Sequence, residues 1–313
     1  MKLHEIRDDF NDLISITADW VGIPESAVYR DYYIVMMLKA LEDSEYAENC
    51  VFKGGTSLSK CYPGSIERFS EDIDLTYVPG EEISNKRYDR VLKQIEKVMS
   101  ACGRLEKIPQ ERNDRNKSSY VSFDDGVSYG KIKLEIGSSV RPDPFSKRTL
   151  KTYIQEYLES KDMNDAVGKY ELAEVSINTL GIERTFLDKV MSVKRHAYCG
   201  TLPQKVRHIY DVARLMDMQE IHSFLDDKDE LKRLIELTKE TDSFYLEKRG
   251  IAEGYNPTGN YDFAKWKEFF DENIRKRYES LHEDLLYTDE KQDFEKAIAA
   301  FERIDEILKE IGE

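Results

Sequence analysis

Between Phe52 and Leu75 the chain reads as strand, glycine pair, short helix and second strand, an order that sets a glycine turn at the junction of a strand and a helix. Cys50-Val51-Phe52-Lys53 predicts a short strand cut off by Gly54-Gly55, and Thr56-Ser57-Leu58-Ser59-Lys60 predicts the start of a helix. A second strand is predicted over Ile73 to Val78, closed by the turn signal Pro79-Gly80. On a strand, residues i and i+2 share a face about 7 Å apart. Asp72 and Asp74 therefore point one way while Ile73 and Leu75 enter a core. The 16 residues between Gly55 and Asp72 suffice for a short helix and a return into an adjacent strand.

These residues suggest a chemistry. Glycines at a strand-to-helix junction let backbone N–H groups approach a triphosphate, and the helix start adds donors and a favourable dipole. Lys53, Gly54, Gly55, Thr56 and Ser57 are the expected nucleotide-binding residues, the last two through their hydroxyls. The stretch lacks the G-x-x-x-x-G-K-[ST] spacing of a Walker A loop. Two carboxylates on one strand face need a cation, and Mg²⁺ favours carboxylate and phosphate oxygens. Alone, the glycine pair reads first as an ordinary tight turn, and the acids as the solvated face of a half-buried strand.

Together the strings Phe52-Lys53-Gly54-Gly55-Thr56-Ser57-Leu58-Ser59-Lys60 and Arg68-Phe69-Ser70-Glu71-Asp72-Ile73-Asp74-Leu75 resemble the AbiEii/AbiGii toxin branch of the nucleotidyltransferases, whose fold resembles DNA polymerase β. Arg30-Asp31-Tyr32-Tyr33 is similar to a family Glu-Lys-Asp-Tyr pattern, with Arg in place of Lys. Thr185-Phe186-Leu187-Asp188-Lys189 and His208-Ile209-Tyr210-Asp211 resemble the family's Thr-Phe-x-x-Lys and His-x-Tyr-Asp elements. The resemblance spans about residues 25 to 220. It implies a third carboxylate on a neighbouring strand, and Leu134-Glu135-Ile136 supplies one. Asp72, Asp74 and Glu135 are then the expected Mg²⁺ ligands, with Glu135 either supporting the metal or deprotonating the acceptor hydroxyl. Lys189 is expected to balance triphosphate charge, and Asp211 to orient that lysine or a basic neighbour. The implied function is nucleotidyl transfer from a nucleoside triphosphate by the toxin of a toxin–antitoxin or abortive-infection system. RNA, especially the tRNA 3′ end, is the implied acceptor, and a cognate antitoxin the implied partner. A small-molecule nucleotidyltransferase and a nucleotide-binding regulator without turnover are the alternatives.

The remaining pattern fits an α+β reading. Helices are predicted over 3–20, from Pro24 onward and over 86–102, with strands at Tyr120 to Phe123, Lys131 to Ile136 and Val175 to Leu180. From Glu183 almost everything reads as helix, including 182–198 and 203–217, with one clear loop from Gly250 to Asn260. This gives a polymerase β-like core, a small mixed sheet with flanking helices, over 1–180, and a helical domain over 181–313.

The net charge of −15 argues against a nucleic-acid partner until its distribution is considered. Residues 220–313 hold 26 acids against 15 bases, whereas 189–208 hold five bases and no acid. Lys194, Arg195 and Lys205 in that stretch read either as a solvated helix face or as a surface for RNA phosphates. Cys50, Cys61, Cys102 and Cys199 have no C-x-x-C spacing, so neither a zinc cage nor a disulfide framework is expected. No apolar run is long enough for a membrane span, and Met1 to Glu5 has no signal core, which predicts a cytoplasmic protein.

Overall fold

The computed structural model describes residues 1–123, 130–247 and 250–313. The chain divides into two compact units. One comprises Met1–Cys61, Phe69–Ser138 and Phe145–Leu180; the other comprises Tyr62–Arg68, Ser139–Pro144 and Gly181–Glu313.

The first unit opens with α1 (Arg7–Val21) and α2 (Glu25–Glu42), the latter entered through Pro24. Most of α2 is buried, from Val28 to Leu41, because the helix packs on more than one side. Then follow β1 (Cys50–Lys53), α3 (Gly54–Cys61), β2 (Asp72–Tyr77), α4 (Asn85–Met99), β3 (Arg104–Lys107), β4 (Asn116–Ser122) and β5 (Ile132–Gly137). The unit ends with β6 (Phe145–Leu150), α5 (Tyr153–Ser160), α6 (Asn164–Lys169) and β7 (Val175–Leu180). The seven strands form one mixed sheet in the order β3-β4-β5-β2-β1-β7-β6. Its centre is the triple β5-β2-β1, in which β2 is parallel to β5 and antiparallel to β1. Ser84 starts α4 by accepting the Arg87 N–H, and Thr152 starts α5 by accepting the Gln155 N–H, each satisfying an end donor of its helix.

Several boundaries differ from the sequence pattern for physical reasons. β4 begins at Asn116, before the expected Tyr120, because its first half is polar yet buried: the Ser119 hydroxyl bonds Glu96 and Lys117 pairs with Asp89. β3 and β6 are edge strands whose side chains are largely exposed, so neither shows a hydrophobic alternation.

The second unit is helical: α7 (Ile182–Tyr198), α8 (Val206–Leu215), α9 (Gln219–Asp226), α10 (Lys228–Glu247), α11 (Glu272–Glu279), α12 (Leu281–Asp284) and α13 (Phe294–Glu310). α8 starts later than expected because Leu202–Gln204, with Pro203, forms a separate 3₁₀ turn. Phe263, Trp266, Phe270, Phe294 and Phe301 make an aromatic core, within which the Trp266 indole N–H donates to the Tyr261 carbonyl at 2.9 Å. No helix among the described residues is long and apolar enough to cross a membrane.

Candidate active site

Register brings the sheet unit's acids together. Along the parallel β2/β5 pair, Asp72 lies opposite Lys133, Ile73 opposite Leu134 and Asp74 opposite Glu135. Ile73 and Leu134 are fully buried, which leaves Asp72, Asp74, Lys133 and Glu135 on the other face. β1 adds Lys53 directly opposite Asp74. A row Lys53, Asp74, Glu135 thus crosses three strands in steps of about 5 Å. Glu135, which only the family resemblance singled out, is the strand neighbour of Asp74.

Burial, and next the charge of Asp74, push the Glu135 carboxyl up, while Lys133 pulls it the other way. Lys133 is shared, since it pairs with Glu135 and, at 2.8 Å, with Glu111. Among the described residues no Lys or Arg makes an ion pair with Asp74. Asp74 and Glu135 are therefore neighbouring carboxylates, and the lysine paired with Glu135 is divided with Glu111.

Gly54 explains the glycine turn. It begins α3 with φ +87°, and a Cβ on it would lie 2.5 Å from Asp74 Oδ2. Both the left-handed backbone and the close approach to the carboxylate require glycine. The hydroxyls of Thr56 and Ser57 do not serve as the sequence suggested. Thr56 Oγ1 bonds the Asp72 carbonyl and the Ser70 hydroxyl, and Ser57 Oγ donates to the Gly54 carbonyl at 2.9 Å. Both side chains are buried, so they tie α3 to β2 and brace the turn. What the turn can offer an anion is its backbone N–H groups, because the first turn of a helix leaves them without intrahelical acceptors.

The donor set suits Mg²⁺. Hard carboxylate oxygens lie two apart on one strand with a third on the neighbouring strand, and the raised Glu135 marks a place where a cation would relieve repulsion. Among the described residues no three His, Cys, Asp or Glu side chains form a ready-made cage.

The second unit holds a different charge cluster. Arg68 grips Asp211 with two hydrogen bonds, Nε to Oδ1 at 2.6 Å and Nη2 to Oδ2 at 2.7 Å, and Lys189 Nζ donates to Oδ2 at 2.6 Å. All three side chains are buried. Burial alone would raise the Asp211 carboxyl, but Arg68 and Lys189 hold it well below the usual carboxylate range. Burial pushes Lys189 down, Arg68 adding to the effect and Asp211 opposing it. His208, on the same helix as Asp211, is pushed well below its ordinary value by burial and then by Lys189. Thus the Thr-Phe-x-x-Lys and His-x-Tyr-Asp elements meet, and the arginine of Arg68-Phe69-Ser70-Glu71 joins them. Arg68 was not assigned a role from sequence; a lone arginine just upstream of paired acids was its only signal.

Two of the three cations expected to face RNA, Lys194 and Arg195, are turned inward. Lys194 is buried and donates to the Asn260 carbonyl at 2.6 Å. Arg195 pairs with Asp242, which also accepts the Tyr255 hydroxyl. Both cations lie where α7 packs within its unit, and they meet a loop carbonyl and an α10 carboxylate there. Burial first, then Lys239, push Lys194 down to about 8. Lys205, half-buried, precedes α8.

A family profile described as nucleotidyl transferase AbiEii toxin of a type IV toxin–antitoxin system matches residues 37–303. The chain belongs to the AbiEii nucleotidyltransferase toxin family. It is accordingly a transferase and a toxin–antitoxin component. The AbiEii match contains the glycine turn, the Asp72/Asp74 pair, Glu135, Lys189 and Asp211. Among solved structures it is similar to MenT4, a nucleotidyltransferase toxin from Mycobacterium tuberculosis H37Rv, at 16% identity over 95% of this chain and 98% of that one, with TM-score 0.51. That likeness shows a shared fold. JHP933 from Helicobacter pylori is more distant, at 17% identity over 92% of this chain and 95% of that one, with TM-score 0.41. No curated protein matches the chain in sequence.

Proposed function

We propose that this AbiEii toxin transfers a nucleotidyl group from a nucleoside triphosphate to a hydroxyl acceptor, at the face of β2 and β5 that carries Asp72, Asp74 and Glu135. The observation that carries this reading is the packing of Gly54 against the Asp74 carboxylate, with Glu135 as the next strand neighbour. It sets a turn suited to phosphate oxygens against acids suited to a metal. Asp72, Asp74 and Glu135 would hold Mg²⁺, which when bound supplies charge to neutralise the triphosphate and the leaving pyrophosphate.

The chain's own groups have the following tasks. N–H groups of the Gly54-Gly55 turn receive phosphate oxygens, and Lys53, in register with Asp74, adds a positive charge at the same row. The acceptor oxygen forms a bond to the α-phosphorus as the bond from that phosphorus to pyrophosphate breaks. Glu135, the strand neighbour of Asp74, is placed either to support the metal or to take the proton of the acceptor hydroxyl. Lys189 and Asp211 enter this reading as the buried support of Arg68, which lies four residues upstream of Asp72.

We infer RNA, and within it the tRNA 3′ end, as the acceptor, with a cognate antitoxin as partner. Membership of a toxin family supports this, since modifying tRNA ends would stop growth. A small-molecule acceptor is the competing reading, favoured by the inward turn of Lys194 and Arg195. Incubating the purified protein with Mg²⁺ and each α-labelled triphosphate, with and without total tRNA, separates the two. Label on tRNA supports the RNA reading. Label on a small metabolite from a cell extract, with none on RNA, overturns it.

A further inference from the structure

Two residues in the family-like strings, Asp31 and Lys60, have no task in the transfer, yet the structure joins them. Lys60 Nζ lies 2.6 Å from Asp31 Oδ1, and each side chain is only 5% exposed. The other carboxylate oxygen of Asp31 accepts the Tyr153 backbone N–H at 2.7 Å. The Lys60 ammonium also sits 3.9 Å above the centroid of the Tyr153 ring. Asp31 is in the middle of α2, Tyr153 is the first residue of α5, and Lys60 is in the last turn of α3. One buried carboxylate thus ties the far end of α3 to two other helices of the same unit.

The near end of α3 is the glycine turn. α3 has eight residues, so it is about 12 Å long and behaves as a short rigid rod. At one end it is bound to β2 by the Thr56 hydroxyl on the Asp72 carbonyl; at the other it is held by Lys60. Turning or sliding the rod would shift Gly54 against Asp74, where 2.5 Å separates the carboxylate from a would-be Cβ.

A buried ion pair is a poor source of net stability, because desolvating two charges offsets most of their attraction; an apolar pair of similar volume often does as well or better. What the pair supplies is one preferred geometry. Burial pushes the Asp31 carboxyl up, while Lys60 and the Tyr153 N–H oppose that push, so the three groups depend on one another.

We propose that Asp31 and Lys60 are a positioning pair that orients α3, and through it the Gly54-Gly55 turn, for the triphosphate. This rests on the reading of that turn as the nucleotide site. Neither residue touches substrate, so their effect belongs to nucleotide binding and alignment and not to proton transfer.

The test compares the parent, the double variant Asp31→Leu/Lys60→Met and the control Gly55→Val, using magnesium nucleoside triphosphates in the labelled-transfer assay and in equilibrium dialysis. The double variant should melt within about 3 °C of the parent or higher. Its KM for the triphosphate should rise about tenfold with a smaller change in kcat, the pattern of a misplaced binding group. Lys60→Arg, which keeps the charge, should recover part of the affinity. A double variant with parental KM and parental affinity overturns the positioning role. So does one that melts far below the parent or fails to fold, since the pair would then be a stabilising contact, and a Lys60→Arg variant no better than the double variant counts against it equally. Gly55→Val distinguishes the two levels: if it also binds like the parent, the turn is not the nucleotide site and both readings fall. If it loses binding while the double variant does not, only the positioning pair falls.

Discussion

The two acidic centres of this protein are opposites in charge balance. In the helical unit, Asp211 is enclosed by Arg68 and Lys189, every oxygen is satisfied at hydrogen-bond distance, and its carboxyl is held well below the usual range. In the sheet unit, Asp74 and Glu135 stand side by side in register, Glu135 is pushed up, and its lysine partner Lys133 is divided with Glu111. A compensated buried acid has little left to offer a ligand. A crowded pair is costly until a cation arrives, and perturbed carboxylates of that kind mark functional sites. The comparison separates acids that build from acids that react.

Removing the Asp211 charge should produce the largest effect on stability. Asp211→Asn leaves Arg68 and Lys189 buried without an anion, and breaking such a cluster costs about 3 to 5 kcal/mol. Lys189→Met should cost less, because Asp211 keeps its two bonds to Arg68 and no cation is left unpaired. Urea melts of both variants check this ordering; equal losses would erase the distinction between the centres.

Gly54→Ala should come next. Forcing a Cβ into the left-handed region costs about 1 to 2 kcal/mol, and the clash with Asp74 adds to it unless the carboxylate moves. Stability should fall and transfer should be impaired together. An alanine variant as stable and active as the parent would show that the turn does not press on the acid.

A smaller effect concerns pH. Burial first, then the charges of Arg195 and Lys205, push His196 down to about 4. Its unfolded value is about 6.5, so the unfolded chain binds the proton more tightly and this contribution to stability is lost as pH falls from about 6.5 to 4. After discounting for solvent screening, the loss attributable to His196 should be about 1 kcal/mol between pH 7 and 5. His196→Asn should remove that part of the slope in melts at the two pH values. An unchanged slope would mean that the histidine is not desolvated as the structure has it.

The sheet centre was more legible in the sequence than the helical one. Alternation of Asp72, Ile73, Asp74 and Leu75 defines a face by itself, and the glycine pair marks the turn beside it, so local pattern carried both. Glu135 needed the family resemblance, because a single glutamate on a strand looks like any exposed one until register sets it next to Asp74. In the basic stretch, five cations in twenty residues resemble a solvated or RNA-binding face, and local pattern does not show which of them turn inward. Only tertiary packing reveals that Lys194 meets the Asn260 carbonyl and Arg195 meets Asp242, each more than forty residues away. The link between Arg68 and Asp211, 143 residues apart, was equally hidden. The edge strands β3 and β6 escaped notice because an exposed strand need not alternate apolar residues.

If the carboxylates on the β2/β5 face perform the transfer, neutralising one of them should stop the reaction without lowering stability. Measuring magnesium-dependent labelled-nucleotide transfer and thermal melting on one preparation of Asp74→Asn tests it most directly. Transfer should fall by at least about a hundredfold, with a melting temperature equal to the parent's or slightly higher because like-charge repulsion with Glu135 is relieved. Near-parental transfer, or a melting temperature lowered as in Asp211→Asn, would contradict it.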